Sequence, residues 1–198
     1  MGQYYKPVNL DRKEYMFSHD FKYPYKRNGG TSAVFSVGLK LMEHSYIGNN
    51  PMNAVEQMII PGGDWYKNRL VWAGDYADPE EGRGKSSNGC AVNIYQIMEN
   101  EGTKITPLAK KVDKKYRYLT NHTQKVVIDL QTVEGDGDGF SIHPLSLLIC
   151  EGNGRGGGDF NGEDSRIGSW ARDVISLENH IYEGYSLVDG NFREERRH

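Results

Sequence analysis

The densest chemical signal in the chain is the run Gly152-Asn153-Gly154-Arg155-Gly156-Gly157-Gly158-Asp159. Its glycines carry a large ordering cost, because Gly loses more backbone freedom on folding than any other residue. A folded chain keeps such a run where the backbone takes positive φ or where another group must come close. Successive backbone N–H groups beside a cation make a nest for an anion. Gly154, Arg155, Gly156, Gly157, Gly158 and Asp159 are therefore expected to line a ligand site, Arg155 holding a phosphate or similar group. The competing reading makes the run a close-packing device, with the working surface elsewhere. Gly152, Gly154 and Gly157 also satisfy G-x-G-x-x-G, but dinucleotide binding needs a helix directly after the loop. Asp159-Phe160-Asn161-Gly162-Glu163-Asp164 follows instead, a poor helix start whose carboxylates repel phosphate.

Proton-transfer groups are sparser. Lys40, Glu43 and His44 fall in a segment whose apolar residues Val34, Val37, Leu41 and Met42 recur at helical spacing, which predicts a helix over 33–46. On that helix Lys40 and His44 share a face, so Glu43 or His44 is a candidate general base and Lys40 a candidate anion contact. Asp75 closes an apolar run, where catalytic groups are often placed, and is the third catalytic candidate. The acidic sets Asp159, Glu163, Asp164 and Asp136-Gly137-Asp138-Gly139 lack EF-hand spacing, and Asp-Gly is an ordinary turn pair. No metal and no cofactor is expected. Nucleophile-elbow, phosphate-loop, zinc-protease and Cys–His signatures are all missing from the sequence.

The elements that must position these groups follow from pattern. Tyr4–Leu10 and Tyr15-Met16-Phe17 predict an opening β-hairpin, and the aromatic, Pro- and Gly-containing stretch 22–32 predicts a loop. Asn50-Pro51 starts a helix through Ile59, ended by Pro61-Gly62-Gly63. Arg69–Tyr76 reads as a buried strand, Ala91–Asn100 as a helix, and 116–130 as a hairpin around Asn121-His122-Thr123-Gln124. A helix or strand over 143–149 enters the glycine run, and a strand ends at Leu177. Glu134–Gly139 reads as a turn, and residues 192–198 as a flexible tail. Trp65, Trp72 and Trp170 read as core. Together these give a single α+β domain with a mostly antiparallel sheet, two or three flanking helices and long glycine-rich loops. Two stretches share an order of apolar segment, Gly-Gly-Asp, Trp and strand, at 53–75 and 144–175, consistent with an internal duplication.

Composition narrows the function classes. The 198 residues are 37% hydrophobic and 11% aromatic, enough for a core, and the net charge of −3 gives no footprint for nonspecific nucleic-acid binding. Six basic residues against one acidic over 104–117 read as a solvated face. No apolar run reaches membrane-spanning length, and no export signal precedes the acceptor triplet Asn121-His122-Thr123, so a cytoplasmic protein is expected.

Several short blocks add a resemblance. They are Met1-Gly2-x-Tyr4-Tyr5, Gly38-Leu39-Lys40-Leu41-Met42-Glu43, Trp72-Ala73-Gly74-Asp75-Tyr76-Ala77-Asp78, the run 152–159 and Gly168-Ser169-Trp170. With these the chain resembles a family of uncharacterised proteins from bacteria and mobile elements, apart from a longer insertion at 22–35. The resemblance implies no catalytic residues. Together with the missing catalytic signatures and the glycine loops, it leads to the expectation of a small binding or regulatory protein, carried by a phage or mobile element and acting on a host macromolecule such as a defence nuclease. The alternative is an enzyme or binder acting on a phosphorylated or nucleotide-like ligand through Gly152–Asp159. A protein partner and a small anionic ligand are thus the two expected partner classes.

Overall fold

The computed structural model describes residues 3–26, 32–86, 89, 92–135, 140–152 and 157–194. Eleven strands and three helices are described, in the order β1 (Tyr5–Asn9), β2 (Glu14–Met16), β3 (Lys22–Lys26), β4 (Ser32–Ser36), α1 (Asn50–Ile59), β5 (Asn68–Gly74), α2 (Ile94–Glu101), β6 (Thr103–Ile105), β7 (Tyr118–Asn121), β8 (Val126–Asp129), α3 (Pro144–Leu148), β9 (Cys150–Glu151), β10 (Val174–Glu178) and β11 (Ser186–Leu187). Strands run β11-β8-β7-β10-β5-β1-β2-β6 across one mixed, mostly antiparallel sheet, with β9 added parallel to the far end of β5. The fold is α+β.

That strand order reads the same from either edge, and the local geometry repeats with it. Asn9 Oδ1 accepts the N–H groups of Asp11 and Arg12, and Asn121 Oδ1 those of Thr123 and Gln124. Each of these turns ends on a left-handed lysine, Lys13 (φ 52°) or Lys125 (φ 57°). The lysine carbonyl then accepts from the edge strand, Thr103 N–H in one half and Ser186 N–H in the other. Trp65 N–H bonds the Met58 carbonyl near the end of α1, and Trp170 N–H bonds the Leu148 carbonyl at the end of α3. Two residues beyond each Trp stands a second left-handed cation, Lys67 (φ 55°) or Arg172 (φ 66°). Asn9 Nδ2 donates to Asn68, and Asn121 Nδ2 to Asp173. β5 and β10 meet at Arg69↔Val174, where the two halves join. The molecule is an internal duplication about a pseudo-twofold axis.

The two halves differ in one large feature. Gly63 and Gly168 occupy matching places before the two Trp residues, since each accepts the N–H three residues on. The Gly-Gly-Asp at 157–159 therefore does not match Gly62-Gly63-Asp64; it lies in an insertion between α3 and Trp170 that also carries β9.

Alternation along the strands separates two faces. On one, Tyr5, Leu70, Trp72, Leu119, Ile128, Ile175 and Leu177 form the main core with α1, α3, Trp65 and Trp170. On the other, Val8, Val71 and Ala73 pack under Ile94, Tyr95 and Met98 of α2.

Three expectations need correcting. No helix forms over 33–46: Ser32–Ser36 pairs antiparallel with Lys22–Lys26, and only Met42–His44 makes a 3-10 turn. Aromatic and β-branched Val34-Phe35 suits a strand once a partner exists, and tertiary pairing overrides spacing. The same hairpin replaces the loop expected over 22–32, of which 27–31 lie outside the described residues. The start of the expected tail is docked, with Phe192 buried edge-on against Phe160; residues 195–198, and 136–139 of the expected turn, lie outside the description.

Candidate functional site

Of the expected ligand loop, Gly154, Arg155 and Gly156 lie outside the described residues. The described part sits on Tyr5. A Cβ on Gly158 (φ 55°) would come within 2.6 Å of Tyr5 Cε2, and one on Gly152 within 2.2 Å of the Tyr5 hydroxyl. Cys150 Sγ closes the base of the loop by accepting the Gly157 N–H at 3.2 Å, while burial pushes its thiol up to about 11. Asp159 Oδ1 accepts the Met42 N–H at 2.9 Å, so the loop does meet the 40–44 segment. Close packing therefore accounts for Gly152 and Gly158, and Asp159 serves as a local cap.

The other expected residues divide. Lys40 bridges Tyr4, and Glu43 Oε2 accepts the Lys40 N–H at 2.9 Å. His44 shares no helix face with Lys40, because no helix forms there. His44 is fully buried, and its Nδ1 accepts the Trp72 indole N–H at 3.2 Å. Burial lowers its pKa to about 3, against a smaller opposing pull from the Leu39 carbonyl. Asp75 Oδ1 accepts the Tyr4 N–H directly beside the Tyr5↔Gly74 pair, and partial burial raises its carboxyl above the usual range.

A different cluster occupies matching positions in the two halves. On the α2 face of the first half, Val8, Leu10, Val71 and Ala73 pack with Ala171, which is donated by the turn of the opposite half. Their counterparts in the second half, fixed by the ladder registers and the matching turns, are Thr120, His122, Ser176, Glu178 and Tyr66. Five apolar positions have become polar. Ser176 and Glu178 are within 1% of full burial, and α2 has no counterpart over them; residues 179–185 cover the site instead.

These groups are connected. Ser176 Oγ donates to Glu178 Oε1 at 2.7 Å and lies 2.7 Å from His122 Nε2. His122 Nδ1 lies 3.1 Å from the Tyr185 hydroxyl, and Glu178 Oε1 is 3.8 Å from Nε2. Tyr182 packs against His122 at 5.4 Å, against Tyr185 at 5.4 Å and against His180 at 4.5 Å between centroids. The Lys67 ammonium lies 4.9 Å from the Tyr182 ring centre and 5.1 Å from that of Tyr66. Burial, then contacts with the Tyr182 hydroxyl and Glu178, hold the Tyr66 phenol well above the usual range. His122 is held below the usual imidazole value, first by burial and then by the Lys67 charge, with Glu178 opposing. The result is a hydrogen-bonded line from a buried carboxylate to a half-buried phenol, able to carry a proton between interior and surface.

Sequence reading met His122 in the hairpin turn and in the triplet Asn121-His122-Thr123, and gave it no chemical role. The available signal was Asn9-x-x-x-Lys13 against Asn121-x-x-x-Lys125, and Gly63-x-Trp65-x-Lys67-Asn68 against Gly168-x-Trp170-x-Arg172-Asp173. Among the described residues no three His, Cys, Asp or Glu side chains are grouped to hold a metal ion, and no helix is long and apolar enough to cross a membrane. No family model, curated protein or solved structure matches the chain.

Proposed function

We propose that the chain is a small-ligand-binding protein whose site is the polar end of the second half, built from His122, Ser176, Glu178, Tyr66, Lys67, Tyr182 and Tyr185. One observation carries the reading: the same fold fills the matching positions with Val8, Leu10, Val71, Ala73 and Ala171. Folding therefore does not require polar groups there, and buried polar groups that folding does not require point to function. On this reading the ligand expected at the glycine run binds instead at the opposite half of the sheet. The test is a nuclear magnetic resonance screen of nucleotides, sugar phosphates and amino acids against the full chain. Binding should perturb Lys67, His122, Tyr182 and Tyr185, and be lost in the variant His122→Leu/Ser176→Val/Glu178→Ala. Perturbations centred on Tyr5 and Asp159 would return the site to the glycine run.

A second reading, action on a host macromolecule, has its own observation. Ile47 and Phe140 are exposed on adjoining segments, joined where the Ile47 N–H bonds the Ser141 carbonyl. Capture of one host protein by the native chain, but not by Ile47→Asp/Phe140→Asp, is the result that supports it.

A further inference from the structure

The ligand-site reading leaves open what chemistry the ligand brings, and the hydrogen-bond directions around His122 bear on this. Ser176 spends its only proton on Glu178, so its Oγ accepts from His122 Nε2. His122 Nδ1 is then a lone pair, and the Tyr185 hydroxyl is its donor. In this state Tyr185 has no proton to offer a ligand. A proton added to Nδ1 reverses the bond: Nδ1–H donates to the Tyr185 oxygen, and the phenol O–H turns outward.

We infer that the site takes an oxyanion, bound by the Lys67 ammonium and the Tyr185 hydroxyl, and that one proton from solvent adds to His122 Nδ1 as the anion binds. This rests on the ligand-site reading. The charges facing His122 agree with it from each neighbouring element. Lys67, on the turn before β5, carries no carboxylate partner among the described residues, and its charge helps keep the ring neutral. An anion on Lys67 cancels that effect. Glu178, on β10 and 3.8 Å away, is in place to hold the imidazolium. Tyr182 and Tyr185, from the segment after β10, and Tyr66 contribute phenols, and His180 stands on the far side of Tyr182. Binding and protonation are linked reciprocally, so whatever the anion does to the proton the proton does to the anion.

Sulfate is the probe, because it does not itself titrate between pH 5.5 and 7.5. Sulfate should perturb Lys67, His122 and Tyr185 resonances in the full chain, and its affinity should rise up to about tenfold per unit fall in pH. Calorimetry in two buffers of different ionisation enthalpy should show proton uptake on binding. His122→Gln and Tyr185→Phe should flatten the pH dependence, and Lys67→Met should weaken binding at every pH, with each variant's fold checked by its thermal transition. Binding at the site that is flat with pH, or a pH dependence that survives His122→Gln, overturns the inference and leaves the ligand site standing. Perturbation of the site by neutral compounds but not by sulfate does the same. Silence of the site toward sulfate and toward every compound of the screen overturns both.

Discussion

His122 Nε2 lies 2.7 Å from Ser176 Oγ, and that contact decides which imidazole nitrogen carries the proton. A serine hydroxyl has one proton, and here it points to Glu178. The ring must therefore be the Nε2–H tautomer, and nitrogen-15 spectra of histidine-labelled protein at neutral pH should show it. Ser176→Val removes the acceptor, and the His122 nitrogen shifts should then move toward a mixture of tautomers. An Nδ1–H ring in the native protein would reverse every donor in the line.

The same contacts predict strong coupling between substitutions. Ser176→Val alone strands an Nε2–H and one carboxylate lone pair in a buried setting, which costs about 1–3 kcal/mol for each unsatisfied group. Adding Glu178→Ala and His122→Leu brings three of the five positions, all but Thr120 and Tyr66, to the apolar residues packed in the first half. Replacing a buried charged network by well-fitted apolar groups is often neutral or stabilising. Urea unfolding should place the triple variant within about 1 kcal/mol of native, above Ser176→Val alone. Additive losses would mean the halves are not interchangeable at these positions.

Acid should destabilise the fold through His44. Its folded pKa of about 3 lies below the 6.5 of an exposed imidazole, so the unfolded chain binds the proton more readily. The contribution is complete above pH 6.5 and is lost as pH falls toward 3, by about 1.4 kcal/mol per unit. His122 is shifted in the same direction and adds to the loss. Stability measured in urea from pH 7 to 4 should fall, and His44→Gln, which keeps an acceptor for the Trp72 indole, should fall less steeply. Parallel slopes for the two proteins would remove His44 from the account.

Gly158 and Gly62 both have positive φ, but only one is crowded. Ala at Gly62 (φ 90°) meets no atom within 4 Å and bears backbone strain of about 1–2 kcal/mol. Ala at Gly158 adds a Cβ 2.6 Å from Tyr5 and 3.3 Å from Leu41, so overpacking adds about 1–3 kcal/mol to that strain. Thermal unfolding should rank the variants native, Gly62→Ala, Gly158→Ala. Equal losses would mean that the loop lifts away from Tyr5 without resistance.

Local signals carried much of the fold. The opening hairpin, α1 behind Asn50-Pro51, β5, α2 and the β7–β8 hairpin all declare themselves by turn residues and periodicity. The stretch from Lys22 to Tyr46 did not, because its strands form only by pairing with each other. Val37 and Leu41 are buried on the core without a helix between them. The Lys40–Asp159 neighbourhood was legible as a meeting of segments, through glycine content, but among its described residues Gly152, Gly158, Glu43 and Asp159 are engaged in caps and close packing. The His122 site was not legible in motif form. Its members are separated by more than a hundred positions, from Tyr66 to Tyr185, and none is unusual for its own element. Only comparison with Val8, Leu10, Val71 and Ala73 makes them conspicuous, and that comparison needs the register of both halves.

Lys6 is the first half's own polar exception on that face, and it carries a further prediction. Its side chain is fully buried, with the ammonium 2.8 Å from Glu99 Oε1 and 3.4 Å from the Tyr95 ring centre. Burial lowers its pKa from 10.5 to about 8, with Glu99 opposing. A lysine shifted down destabilises the fold when charged: its contribution is complete above pH 10.5 and is lost as pH falls to about 8. At neutral pH the deficit is about 3 kcal/mol, of which the Tyr95, Tyr15 and Phe17 rings return a part. Lys6→Met keeps the length and apolar stem, and Glu99 is half exposed and stays hydrated. Urea unfolding at pH 7 should show Lys6→Met more stable than native by about 1–3 kcal/mol, with the difference closing as pH rises past 10. A Lys6→Met variant less stable at pH 7 would mean that the aromatic cage and Glu99 outweigh the cost of burying the charge.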